Sequence, residues 1–320
     1  MAAAAADRGA SIEFVPITRL ANPLRRARGH ILVDSLVAWA VVPWVLLRRS
    51  DRPMAAIVHQ SPGGIDHGPI RTRLQRALDL SLYRNCSLVI AASGSLRDEL
   101  VAGHGIAAGR VRVVEPGSDV PIDRSTTTDL RRGRKVALLT VANWLENKGI
   151  VELLDAVAAL PADLVTLHLV GDDGFDRSYA HRVRDRIAAP GLVGRVVVHG
   201  VLEPEELGRL YGAADVFVLP SDKEAYGTVF GEALAAGLPV VGWRSGNLPN
   251  LIEDGREGCL LALGDVSGLS AVLRRLATDE AWRDELTAHA AERGRSLPRW
   301  SDTADAFFGL FGEYSPTSGE

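Results

Sequence analysis

The sequence predicts an α/β protein made of two doubly wound domains, each a parallel sheet with helices on both faces. Three observations lead there. Compact apolar runs rich in β-branched residues alternate with segments of helical period along most of the chain. The runs are apolar at nearly every position, as in "KVALLTVA" (135–142), which marks strands buried on both faces. The alternation is broken once, by polar "DRSTTTDLRRGR" (123–134), which has no apolar period and reads as a linker.

In the first array the predicted strands are 11–17, 30–33, 54–59, 87–93 and 110–116, with helical stretches at 35–48, 69–85 and 94–103. The second array is cleaner. Its strands are 135–142, 164–171, 195–200, 215–221, 239–243 and a short 258–262. The helices between them are 147–160, 178–189, 204–214 and 228–237. In the first of these helices Ile150, Leu153, Leu154, Val157 and Leu160 form one apolar face. Domains are therefore expected at 1–130 and 131–300, with a C-terminal helix over 301–320 packing back toward the first. Ligands of such sheets bind beyond the carboxyl ends of the strands, so two such domains would face each other across a cleft.

At 320 residues and 47% hydrophobic content, the chain can bury two cores of ordinary size. Its two cysteines, Cys86 and Cys259, lie in different halves, which speaks against a disulfide framework and for a reducing, cytoplasmic location. The longest apolar run, "LVAWAVVPWVLL" (36–47), is too short to span a bilayer and contains Pro43, so it reads as a buried or half-buried helix. "MAAAAADRGA" lacks the pattern of a signal peptide. A net charge of −4 argues against a nucleic-acid partner. Residues 1–134 hold 19 basic and 12 acidic residues, net +7, whereas 135–320 hold 17 and 28, net −11. The first half can therefore face an anionic surface or acceptor, with the protein peripheral at the inner face of a membrane.

Candidate chemistry centres on "SDKEAYGTVFGEALAAGLPVV" (221–241). A strand ends at Pro220, a loop carries Glu224, and a helix opens near Gly227 or Thr228. A helix mouth has free N–H groups and a positive dipole end, which suits an anion, and Gly227 lets a ligand approach the backbone. Glu232, about one turn inside that helix, can accept two hydrogen bonds from a cis-diol such as a ribose. Lys148 follows the first strand of the second array at the start of a helix, where a bound phosphate would offset its unfavourable place on the dipole. Two stretches imitate other sites. The three aspartates of "GDDGFD" (171–176) match no metal template, and "SPGGIDHG" (61–68) lacks the Lys-Ser/Thr of a phosphate loop.

Together these segments resemble the retaining glycosyltransferases of the GT-B fold, the large group called family 4. The resemblance is strongest from about residue 135 to 262. The family's Glu-x7-Glu motif stands here as "EAYGTVFGEALAAGLPV". It implies that Glu224 contacts the donor sugar, Glu232 the ribose, and the amides around Tyr226, Gly227 and Thr228 the diphosphate. The family's G-R-x-x-x-x-K-G motif stands as "ANWLENKG", with Lys148 as the phosphate lysine and Asn143 where the family has arginine. Gly171 and the "HGVL" segment, through Val201 and Leu202, would border the base. His59, closing "MAAIVH", matches a histidine beside the transferred sugar. The family also begins with a strand and a Gly-rich loop that "MAAAAADRGASIEFVPI" does not offer, so the first Rossmann-like domain is expected to lack its first β-α unit unless 11–17 is re-used.

The resemblance implies metal-independent hexosyl transfer from a nucleotide sugar, which is a substrate, to an unidentified acceptor, with retention and without a cofactor. Lys148, Glu224 and His59 would be catalytic. Asn143, Gly171, Val201, Leu202, Tyr226, Gly227, Thr228 and Glu232 would bind the donor. Two other readings stay open: a non-catalytic nucleotide-sugar binder, which Asn143 favours, and a nucleotide-sugar 2-epimerase.

Overall fold

The computed structural model describes residues 2–14, 29–47, 53–64, 69–125, 128–224 and 226–313. The chain forms two compact units, Met1–Gly117 with Pro298–Glu320, and Ser118–Leu297.

The sheet of the first unit has four parallel strands, β1 (Ile31–Asp34), β2 (Met54–Val58), β3 (Leu88–Ala91) and β4 (Val111–Val113), in that order. Helices α1 (Ala2–Ala6), α2 (Ala38–Leu47), α3 (Pro69–Asn85) and α4 (Gly94–Asp98) accompany it. Asp34 ends β1 and accepts the Leu36 N–H at 2.9 Å, which opens the 3-10 turn Ser35–Val37 ahead of α2. Ser93 caps α4 in the same way, accepting from Leu96 at 3.1 Å. The expected strand at 11–17 does not form over its described part: residues 11–14 carry no strand, and 15–17 lie outside the described residues. Phe14 is 79% exposed, so its side chain does not supply the buried face of a strand.

The second unit holds six parallel strands: β5 (Val136–Val141), β6 (Val165–Val170), β7 (Val196–Gly200), β8 (Val216–Val218), β9 (Val240–Trp243) and β10 (Gly258–Leu261). Their order across the sheet is β10-β9-β8-β5-β6-β7. Helices α5 (Ile150–Ala158), α6 (Arg177–Ile187), α7 (Pro204–Ala213), α8 (Thr228–Ala235), α9 (Leu248–Leu251), α10 (Val266–Thr278) and α11 (Glu280–Ser296) surround it. Two cores lie on opposite faces of the sheet. Val136 and Leu138 of β5 join Leu153 of α5, Val183 of α6 and Leu273 of α10 on one side. Ala137 and Leu139 join Tyr211 of α7, Phe230 of α8 and Ala290 of α11 on the other. Successive residues of one strand thus enter different cores, which is why the strand reads as a continuous apolar run.

Residues 118–125 and 128–134 are packed onto the second unit rather than forming a free linker. Asp123 N–H donates to Gly208 O at 3.3 Å, Arg124 Nη2 donates to Ala236 O at 2.8 Å, and Leu130 is buried in the second of these cores. Arg131 forms a two-pronged pair with Asp215, at 2.9 and 2.6 Å. Contacts through backbone and arginine leave no apolar period to read. At the other end of the chain, α12 (Trp300–Glu313) belongs to the first unit: Phe307 packs with Ala55, Leu88 and Ile90, and Thr303 Oγ1 donates to Glu115 O at 2.8 Å. Among the described residues no helix is long and apolar enough to cross a membrane.

Candidate active site

The site follows from the strand order of the second sheet. The chain leaves β5 toward β6 and β7, then returns to the other side of β5 as β8. A parallel sheet opens a crevice at such a reversal, outside the carboxyl ends of the two strands. The loops leaving β5 and β8 meet there. Gly149 is left-handed (φ 66°), and a Cβ on it would lie 2.1 Å from the Pro220 carbonyl oxygen. Only glycine allows both the turn and the approach. Asp222 N–H and Ser221 Oγ both donate to Asn147 O, at 2.8 and 2.9 Å.

This clamp sets Lys148, the last residue of the 3-10 turn Glu146–Lys148, against Glu224. Lys148 Nζ donates to Glu224 Oε1, and the two side chains are only 18% and 16% exposed. Ser221 Oγ lies 3.2 Å from the same carboxylate oxygen. The loop after β9 holds Glu224 from the other side, since Asn247 N–H donates to Glu224 O at 3.0 Å and Asn247 Nδ2 to Tyr226 O at 3.2 Å. A cation and a carboxylate are thus fixed together, mostly out of water, by three strand-end loops.

Next in the chain, Gly227 (φ 80°) starts α8, and no side chain caps the helix. Tyr226 is buried and Thr228 exposed. The small residues of α8 have a packing cause: it lies against α11 so closely that a Cβ on Gly294 would sit 2.1 Å from Leu234 O. Glu232 lies one turn in and accepts from the Tyr211 hydroxyl at 2.9 Å. Burial raises the Glu232 carboxyl above its ordinary range, against the opposing effect of that hydrogen bond. Burial and the Glu232 charge push the Tyr211 hydroxyl well up.

The remaining predicted residues of this unit lie along the same carboxyl edge. Asn143 follows β5, and its Oδ1 accepts the Asp172 N–H at 3.2 Å. Gly171 ends β6, and a Cβ there would meet Ala142 O at 2.0 Å, so close contact between the loops demands glycine. After β7, Val201 is 72% exposed, while Leu202 packs on the apolar core. His59 belongs to the first unit. It follows β2, and its Nε2 lies 3.1 Å from Oδ2 of Asp34 at the end of neighbouring β1. Burial raises the Asp34 carboxyl, but the hydrogen bonds from His59 and Leu36 outweigh it and the net direction is down.

The two imitating stretches have structural roles. Asp172 accepts the Gly174 N–H at 2.7 Å, Asp173 pairs with Arg184, and Asp176 caps α6 by accepting from Tyr179 at 3.0 Å. In the other stretch, Gly63 packs beneath Thr72 of α3 and donates its N–H to Asp79 at 2.9 Å, while 65–68 lie outside the described residues.

Two family models match the chain: "Glycosyl transferases group 1" over residues 135–279 and "Glycosyltransferase Family 4" over residues 5–120. The chain belongs to the family 4 glycosyltransferases. The group 1 match contains the whole constellation from Asn143 to Glu232. Mannosylfructose-phosphate synthase of Agrobacterium fabrum is 28% identical over 247 residues, which are 72% of this chain and 54% of that protein. The chain thus spans about half the length of that relative. D-inositol 3-phosphate glycosyltransferase of Corynebacterium jeikeium is 28% identical over 306 residues, 90% of this chain and 72% of that one. Among solved structures, Anabaena HepE in complex with UDP-glucose superposes with a TM-score of 0.75 at 22% identity, over 88% of this chain and 78% of that one. The chain therefore has the GT-B architecture, with one parallel-sheet α/β domain in each unit.

Sequence reading missed three residues that shape this site, Ser221, Asn247 and Tyr211, and it missed Asp34 beside His59 in the first unit. Ser221 and Asp34 stand at strand ends, where polar residues deserve testing. Tyr211 gave no signal, because only packing of α7 on α8 brings it to Glu232.

Proposed function

We propose that this glycosyltransferase moves a hexosyl group from a nucleoside-diphosphate sugar to an acceptor hydroxyl, with retention and without a metal. The observation that carries the reading is the Lys148–Glu224 pair beside the uncapped start of α8, at the reversal of the second sheet. A diphosphate here would take Lys148 Nζ and the first amides of α8, and release Glu224 to the sugar. Glu232, with one oxygen on Tyr211, would receive the ribose hydroxyls. In the step, the bond from C1 to the phosphate oxygen breaks and a bond from C1 to the acceptor oxygen forms. The acceptor proton passes to the departing phosphate. Lys148 and the amides stabilise the charge growing on that phosphate. His59, oriented by Asp34, serves the acceptor side. The UDP-glucose complex of the structurally similar HepE supports a nucleotide-sugar donor. We place the enzyme in the cytoplasm, peripheral at the membrane.

A thermal-shift screen of UDP-, GDP- and ADP-glucose identifies the base, since a ligand of the native state raises its stability. NMR of the product with that donor, in EDTA, then reads transfer and anomeric configuration. Inverted product, or activity lost in EDTA and restored by a divalent ion, would contradict the mechanism. Asn143 favours a second reading, a binder without turnover: the family's arginine is absent, and its replacement is engaged with Asp172. Saturable binding with no product from any acceptor would select it.

A further inference from the structure

The loop that follows β2 is held from beneath by a buried carboxylate that the chemistry above does not use. Asp79 of α3 is only 4% exposed. Its Oδ2 accepts the Gly63 N–H at 2.9 Å, and its Oδ1 accepts from Gln75 Nε2 at 2.8 Å. No cation is among its described partners, and burial raises the carboxyl against the opposing effect of both hydrogen bonds. Two neutral donors offset only part of the cost of burying a carboxylate, and an apolar residue in α3 would avoid that cost. What the carboxylate gains is a hold on the loop. Three consecutive loop residues are tied down in this way. Ser61 Oγ donates to Glu99 Oε2 at 2.6 Å, from the turn Glu99–Gly103 after α4. Pro62 O accepts from Arg76 Nε at 3.3 Å. Gly63 is left-handed (φ 102°), and a Cβ on it would lie 2.8 Å from Thr72 O, so the backbone itself is pressed against α3. Just upstream, His59 N–H donates to Ser35 Oγ at 3.4 Å, while the ring Nε2 meets Asp34 Oδ2. One strand end thus holds His59 at main chain and ring, and Asp79 holds the chain that leaves it.

We propose that Asp79 is a positioning residue: by fixing Gly63 it keeps the loop after β2, and His59 with it, in one place, so that the imidazole retains a single orientation against Asp34. What His59 then does rests on the transferase reading; that it is held does not. A carboxylate opposite Nε2 requires the proton on that nitrogen and leaves Nδ1 as the free acceptor. Without the hold at Gly63 the loop can shift, and the ring can turn and sample both tautomers.

The test is NMR of the full chain with 15N-labelled histidine and glycine at pH 8, with His59→Gln assigning the ring. In the parent, His59 should be protonated mainly at Nε2. Asp79→Ala removes the acceptor and should average the two ring nitrogens. Asp79→Asn keeps an oxygen for Gly63 and should restore the parent pattern. The His168 and His199 rings of the second unit should be unchanged in both variants, which marks the effect as local. If Asp79→Ala does not fold, the parent still decides: its Gly63 amide should exchange with solvent about 100-fold more slowly than an open turn. With UDP-glucose as the donor probe, sugar release should fall about 100-fold in Asp79→Ala, recover in Asp79→Asn, and leave UDP affinity as it was. A parent that releases no sugar counts against the transferase reading alone, because the ring and amide signals are read without turnover. Rapid exchange at Gly63, a His59 ring that is the same in Asp79→Ala as in the parent, or an altered ring that Asp79→Asn fails to restore would overturn the positioning role.

Discussion

Lys148→Ala removes the cation on which the proposed chemistry turns, and its effects separate into stability and binding. The pair is mostly shielded, with side chains 18% and 16% exposed. Two unit charges about 4 Å apart at an effective dielectric near 20 attract by about 4 kcal/mol, and much of that is offset by the cost of taking both from water. Deleting the lysine leaves Glu224 with Ser221 Oγ as its remaining side-chain partner among those described. A loss of about 2 kcal/mol in unfolding free energy is expected, measured by urea titration. Glu224→Ala should cost less, because a lysine stem can turn its head to solvent. The double variant should be more stable than the sum of the two by about 1 kcal/mol. In binding, the variant should lose about 30-fold in affinity for the nucleoside diphosphate, from about 2 kcal/mol for one charged hydrogen bond, and nothing for the nucleoside. Equal losses for nucleoside and diphosphate in a folded variant would refute the phosphate role. Strict additivity of the stability effects would refute the pairing.

Other perturbations probe other parts of the account. Glu232 has a raised carboxyl, so its ionised form is costly in the fold: its contribution to stability is full below the unfolded pKa and falls as pH rises through the folded value. Because a ribose needs the carboxylate, nucleotide affinity should increase across the same rise, and calorimetry should find Glu232→Gln weaker and flat with pH. Gly149→Ala must move the Pro220 carbonyl and strain a left-handed turn, so melting should report a loss of at least about 2 kcal/mol. His168 donates from Nε2 to Leu130 O at 2.8 Å, and its Nδ1 faces His199 Nε2 at 2.9 Å. Burial lowers both imidazoles, with nearby Arg132 acting the same way. Their contribution is full above the ordinary histidine value and is lost as pH falls through the lowered folded values, so urea stability should drop as the pH is taken below the ordinary histidine value. His168→Gln should flatten that drop.

Much of the second unit was legible because most of its strands, edge strand β7 excepted, bury both faces, and such runs cannot be mistaken for loops. The boundaries of β5 to β10 fall inside the expected runs. Failures came where stability rests on something other than apolar period. Residues 118–125 and 128–134 are fixed by carbonyls, Arg124 and the Arg131–Asp215 pair, which look like solvated charge in sequence. Residues 11–14 have the composition of a strand without a surface to bury it. At the site, strand-end placement made Lys148 and Glu224 candidates, but their direct contact depends on the Gly149–Pro220 approach, which no spacing reveals. The small residues of α8 suggested a crowded helix, and the structure assigns the crowding to α11.

The most direct measurement is a crystal structure of the chain with the nucleoside diphosphate that gives the largest thermal shift. The account predicts the diphosphate within hydrogen-bond distance of Lys148 Nζ and the amides at the start of α8, with the Lys148–Glu224 contact broken and the ribose on Glu232. A nucleotide bound elsewhere, or one bound here with that ion pair intact, would contradict it.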